Sequence, residues 1–145
     1  MIRRFETEDA EQCSEIMLDC IENSFDYKGD NKDFMIKMSS PEKIIEKSEK
    51  IDFFVFVKTN KILATGGFNN GEIKTMFVSP EQQRKGIGKE MLFFLIEHAK
   101  SLRYKKVFLK ASPEAEGFYE KHGFIKIKDR YDHDFHVVEM EMNID

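Results

Sequence analysis

The chain has 145 residues and a mass of 17.1 kDa, which is the size of one domain, residues 1–145, able to bury a core without disulfide or metal staples. It is 41% hydrophobic and 34% charged with a mean hydropathy of −0.51, an ordinary globular composition in which fourteen Phe and no Trp supply the aromatic packing. A net charge of −4, from 23 basic and 27 acidic residues, argues against a nucleic-acid binder with a wholly basic surface and against a membrane-surface protein. A local basic site stays open. The longest nearly apolar run, Phe53 to Val57, is far short of the roughly 20 residues that span a bilayer. Met1 to Glu6 lacks an apolar leader core, so the expected compartment is the cytoplasm.

In chain order, Met1 to Glu6 alternates loosely as a short strand. Thr7, followed by Glu8 and Asp9, marks a helix start. Cys13, Ile16, Met17, Cys20 and Ile21 then form the stripe of an amphipathic helix. The two cysteines share one face seven residues apart, a pattern of core packing rather than of metal or redox chemistry. Residues 23–40 have no clean period and mix Phe25, Tyr27, Phe34, Met35 and Met38 with Asp26, Asp30 and Asp33. They read either as a binding loop or as a short helix tucked onto the body. Ser40-Pro41-Glu42 is an N-cap and first-turn signal for a helix to about Lys50.

Strands are expected at Phe53–Lys58, Ile62–Phe68 and Glu72–Val78, with Asn69-Asn70-Gly71 as a hairpin turn and Pro80 as a stop. From Arg84 to Leu102 the period is helical, with Ile87, Met91, Leu92, Leu95, Ile96, Ala99 and Leu102 on one broad face. Val107–Ala111 is a strand, Pro113–His122 a short helix, and Phe124–Arg130 and Val137–Met142 are closing strands. The order βααβββαβαββ is that of an α/β domain whose mostly antiparallel sheet contains one parallel pair with a right-handed crossover.

Chemistry concentrates at the junction of the third long strand and the long helix. Gln83-Arg84-Lys85-Gly86-Ile87-Gly88 puts two glycines where a backbone must approach a ligand closely. The helix behind them offers unpaired N–H groups and a positive dipole end, and Arg84, Lys85 and Lys89 add cations. A pyrophosphate is the natural ligand. It is not that of a P-loop, since Lys85 precedes Gly86 and Glu90 follows Lys89. Nor is it that of a dinucleotide fold, since Met91 stands where the third glycine would be.

Gln83-x-x-Gly86-x-Gly88 after a Val-x-Pro strand end resembles the signature of the GCN5-related N-acetyltransferases (GNAT). Ala115-x-x-Phe118-Tyr119-Glu120-Lys121-x-Gly123-Phe124 is similar to a second segment of that family, in register. These motifs cover residues 72–124; before them the resemblance is one of pattern. It implies a domain with a splayed central pair of parallel strands, Glu72–Val78 and Val107–Ala111, that takes acetyl-CoA as cosubstrate in the gap. Met76, Phe77 and Val78 would hold the pantetheine arm like an added strand. Amides and side chains from Gln83 through Arg84, Lys85, Gly86, Ile87 and Gly88 to Lys89 would take the pyrophosphate. Phe118 and Ser112 complete the cofactor set, although the family often has Asn where this chain has Ser112.

By the same resemblance Tyr119 is the acid that protonates the leaving thiolate, or else a packing residue. The Val78 N–H is the oxyanion donor by position, and Glu72 is the base, directly or through water, or else an ordinary exposed residue at a strand start. The implied reaction moves acetyl from acetyl-CoA to a primary amine of a small molecule by direct transfer. A protein N-terminus or lysine, or a CoA-binding sensor without turnover, are the alternatives. A covalent acetyl-cysteine is not expected, because both cysteines lie on the first helix, away from the gap. No metal is expected: His133 and His136, three apart on a strand, point to opposite faces, and His98 and His122 read as solvated or capping residues. No nucleic acid or membrane partner is expected. Val137, Val138, Met140 and Met142 form either a homodimer edge or core. Residues 82–110 carry eight bases against two acids, and the remainder 15 against 25, which suggests a cationic cofactor half and an acidic acceptor half.

Overall fold

The computed structural model describes residues 1–132 and 135–145. In chain order it contains β1 (Ile2–Arg4), α1 (Ala10–Glu22), α2 (Gly29–Met38), α3 (Pro41–Ser48), β2 (Asp52–Lys58), β3 (Lys61–Asn69), β4 (Glu72–Val78), α4 (Ile87–Ser101), β5 (Lys106–Ala111), α5 (Glu116–Lys121), β6 (Ile125–Asp132) and β7 (Phe135–Asn143). Short 3₁₀ turns occupy 7–9, 80–82 and 113–115. The strands form one sheet in the order β1-β2-β3-β4-β5-β7-β6, antiparallel except for the parallel pair β4–β5. This is the expected mixed α/β sheet, and within residues 23–40 the chain takes the helical alternative, which the element order left out.

That helix is α2. Its residues bury almost nothing, Asn31 alone being fully covered, so the segment carries no apolar stripe for periodicity to detect. α3 opens as expected, with the Ser40 hydroxyl accepting from the Lys43 N–H at 3.3 Å. α1 begins three residues after Thr7, because Glu6–Asp9 forms a separate turn in which the Asp9 carboxylate accepts from the Glu6 N–H at 2.8 Å. α4 begins at Ile87 rather than Arg84, since Arg84 and Gly86 take left-handed backbone angles (φ 66° and 84°) that a right-handed helix does not allow.

Helices cover both faces of β2–β4, which is why Ile62 to Phe68 of β3 is buried without alternation. On one face α4 packs Met91, Leu92 and Leu95 against Phe54, Phe68, Ile73 and Leu109. On the other, α1 and α3 place Cys13, Ile16, Met17 and Ile44 against Phe53, Val55 and Ile62. Val138 and Met140 are 1% exposed and belong to the first core, with Met142 packed at its margin, so these two closing-strand residues are core rather than an outward edge.

Candidate active site

β4 and β5 pair only at Glu72 and Phe108, where the Phe108 N–H donates to the Gly71 carbonyl at 3.0 Å. Beyond that point they part. The cause lies in β4 itself. Its register against β3 jumps from Lys74–Gly67 to Phe77–Thr65, which leaves Thr75 and Met76 opposite Gly66 alone. Thr75 sits at φ 56°, a strained angle for a β-branched residue, and the Thr65 hydroxyl holds its carbonyl at 2.8 Å. α4 presses on this bulge closely: a Cβ on Gly66 would lie 2.6 Å from Met91 Sδ and 2.9 Å from Leu95 Cδ1.

The bulge also reverses the alternation of β4. Ile73 is in the α4-side core before it, Met76 and Val78 pack on that side after it, and Phe77 turns to the α1-side cluster. Ser79 N–H donates to Leu63 O at 2.9 Å, so the alternating antiparallel pattern turns Phe77's main chain toward β3 and that of Val78 toward the opening. The Val78 carbonyl is already held twice, by Gln83 Nε2 and by Cys20 Sγ, both at 3.1 Å. Cys20 is therefore at the opening and not away from it, a correction to the expectation from α1 alone, because the C-terminal turn of α1 lies across the end of β4. Burial pushes its thiol up to about 11, against the hydrogen bond to Val78, so it is protonated at neutral pH and a poor nucleophile.

Past Val78, the residues expected to meet a phosphate come together. Gly86 caps α4 with no side chain occupying the first amides, and Arg84, Lys85 and Lys89 stand exposed around them with no carboxylate partner among the described residues. Lys89 Nζ lies 5.5 Å from the Phe93 ring centroid. A Cβ on Gly88 would lie 3.4 Å from Phe118 and 3.5 Å from Val78, ordinary contact distances, so α4, α5 and the end of β4 converge at this point. Open amides, a bare backbone and three unpaired cations fit a pyrophosphate. Ser112 follows β5; its carbonyl accepts from the Ala115 N–H at 2.9 Å as the chain turns toward α5.

Tyr119 of α5 reaches across the opening, its hydroxyl 3.7 Å from Met76 Sδ. It is 8% exposed, and burial together with Tyr27 raises its phenol above the usual value. Phe118 packs edge-on against Tyr119 and His122, with centroids at 5.1 and 4.9 Å. Glu72 lies apart from this group, at the end where the strands still pair, its carboxylate 3.9 Å from Lys74 Nζ. Four residues of strand, about 13 Å, separate it from Met76. Three features escaped the sequence pattern: the bulge at Thr75, the thiol of Cys20, and Glu114, which binds the segment after α1. Only Tyr27, already among the aromatics of 23–40, carried a signal.

Other histidines have local partners: His98 meets Asp52 at 2.7 Å and His136 meets Asp129 at 2.9 Å. Burial, Lys89 and Lys121 lower His122. His133 lies outside the described residues. Among the described residues, no helix is long and apolar enough to cross a membrane.

Comparison with known proteins agrees with this geometry. Residues 10–144 match the family model of the acetyltransferase (GNAT) domain. A glucosamine 6-phosphate N-acetyltransferase from Schizosaccharomyces pombe is 49% identical over 53 residues, 37% of this chain and 48% of that protein. The chain thus aligns with about half the length, or less, of the curated relatives it matches. A GCN5-related N-acetyltransferase structure from Rhodopseudomonas palustris superposes with a TM-score of 0.90 at 15% identity, over 99% of this chain and 94% of that one. PaiA N-acetyltransferase from Thermoplasma acidophilum, in complex with coenzyme A, gives 0.81 at 19% identity, over 99% and 98%. With its splayed β4–β5 pair, glycine turn and matching family model, the chain belongs to the GNAT acetyltransferases.

Proposed function

We propose that the protein transfers the acetyl group of acetyl-CoA directly to a primary amine of a small molecule. The observation that carries this reading is the Tyr119 hydroxyl, 3.7 Å from Met76 Sδ inside the opening between β4 and β5. Donor and acceptor meet there. The Gly86 turn supports a pyrophosphate, with Arg84, Lys85 and Lys89 around it, and leaves room for a pantetheine arm to run along Val78. The Val78 N–H faces the tetrahedral oxyanion, and Tyr119 gives its proton to the departing thiolate sulfur. The amine must lose a proton first. Glu72, on the face of the sheet shared with α1 and α3, serves as base through water, given its distance along β4.

The likeness to a glucosamine 6-phosphate acetyltransferase supports an amine acceptor, and a site roofed by the segment after α1 favours a small one. The test is release of free CoA thiol from acetyl-CoA with glucosamine 6-phosphate, spermidine, tobramycin and an alanine-terminated peptide. Thiol release with one of the three small amines is expected. Release with the peptide alone would move the acceptor to protein. Tight acetyl-CoA binding with no release from any of the four would make the chain a sensor instead of an enzyme.

A further inference from the structure

Two pieces of chain that flank the opening on different strands are tied together by bonds that acetyl transfer itself does not need. On the β4 side, α1 is fixed to the strand end by the Cys20–Val78 contact and runs into residues 23–28. On the β5 side, the strand leads through Ser112 into the turn 113–115. Glu114 joins the two. One of its carboxylate oxygens accepts from the Ser24 hydroxyl at 3.0 Å and the other from the Phe25 N–H at 2.7 Å. Asp26 answers in the opposite direction, accepting from the Glu114 N–H at 3.1 Å, while its own N–H donates to Ser24 Oγ at 3.0 Å. Each carboxylate meets donors rather than the other carboxylate.

The loop so fastened treats neighbouring aromatics unequally. Phe25 is 84% exposed, whereas Tyr27 is turned inward and half-buried. Burial, Asp26, Cys20 and Glu114 all raise the Tyr27 phenol, and Tyr27 in turn adds to the upward shift at Tyr119.

We infer that Glu114 is a positioning residue: it fastens the α1–α2 loop to the turn that follows β5, across the opening, and so makes the half-buried Tyr27 a wall of the acceptor pocket. The inference rests on the acetyl-transfer reading and adds to it a fixed acceptor wall. Affinity for the amine then depends on the clasp, while affinity for acetyl-CoA, held from the α4 side, does not.

The test compares the 145-residue wild-type chain with Glu114→Ala, Glu114→Gln and Ser24→Ala. Glucosamine 6-phosphate and spermidine serve as acceptor probes, and iodoacetamide probes Cys20. In Glu114→Ala the KM for the amine rises about tenfold with kcat and the acetyl-CoA Kd within twofold. The Phe25 amide exchanges with solvent at least tenfold faster while β3 amides keep their protection, and Cys20 alkylates faster while Cys13 stays protected. Glu114→Gln, which keeps one acceptor oxygen, falls between. Ser24→Ala added to Glu114→Ala changes nothing more, since both break one connection. An unchanged amine KM, or an unchanged Phe25 exchange rate and Cys20 reactivity in Glu114→Ala, would overturn the inference. If the wild type acetylates neither probe nor tobramycin, it is the reading of function that fails, and the exchange and alkylation rates alone decide whether the clasp stands.

Discussion

At Tyr119, a phenol that ordinarily loses its proton near pH 10 is kept from doing so by burial and by Tyr27. A raised phenol stays a proton donor throughout the neutral and mildly alkaline range. Tyr119→Phe is therefore expected to slow thiol release about 10²-fold with acetyl-CoA binding intact. The kcat profile of the wild type should show no loss from this group below about pH 10. A basic limb that vanishes in Tyr119→Phe and lies near pH 8 would contradict that assignment. At Glu72, loss of the carboxylate in Glu72→Gln should lower kcat about 10- to 10²-fold with the acetyl-CoA Kd unmoved. Equal kcat in Glu72→Gln and wild type would leave Glu72 as the partner of Lys74 and nothing more.

Among the elements, the Thr75 bulge decides most. It parts β4 from β5, reverses which side chains of β4 meet α4, and turns Val78 toward the opening. Gly66 permits it, because α4 lies where a side chain would be. Gly66→Val should lower stability by about 1–3 kcal/mol through overpacking against Met91 and Leu95, read as a fall in the urea midpoint with m unchanged. Gly88→Val should act differently. It crowds Phe118 and Val78 at the edge of the opening, so acetyl-CoA affinity falls at least tenfold while the unfolding midpoint moves little. The long elements could be read from the chain, since α4, β2, β3 and β5 bury regular apolar patterns. α2 could not, because it buries no stripe, and the bulge could not, because one extra residue in a strand has no compositional mark at Lys74-Thr75-Met76.

For the molecule as a whole, charge does not divide as simply as its placement along the chain suggests. Of the eight bases between residues 82 and 110, only Arg84, Lys85 and Lys89 stand at the open end of α4. Lys100 lies on its last turn, about 20 Å away, where it pairs with Glu97 at 3.3 Å, and Lys106 on β5 pairs with Glu141 at 3.1 Å. The other half is not uniformly acidic at the site either, since Lys74 accompanies Glu72 and partly buried Lys47 of α3 is lowered by burial and by Lys74. Stability has its own electrostatic anchor in Arg3 and Asp9, joined at 2.7 and 3.0 Å between β1 and the turn before α1. Burial alone would raise the Asp9 carboxyl, but the Arg3 guanidinium and the Glu6 amide outweigh it and hold it below the usual range. The folded state therefore resists protonating Asp9. Its contribution is present above about pH 4 and is lost as pH falls through the lower folded value. Asp9→Asn should cost about 2 kcal/mol at pH 7 in urea unfolding, a difference that shrinks steadily below about pH 4.

By itself the sequence determined the elements and the phosphate end of the site. Amphipathic periods, turn residues and the Gln83–Gly88 turn are local, and the physics that reads them acts over a few neighbouring residues. Only the tertiary structure decided what faces what. Cys20 reached Val78, Tyr119 reached Met76, and Glu114 reached Ser24 and Phe25 because strands far apart in the chain were brought side by side and then parted by a bulge. Contacts across 43 to 90 residues have no period to betray them, since each depends on the angle at which whole elements pack.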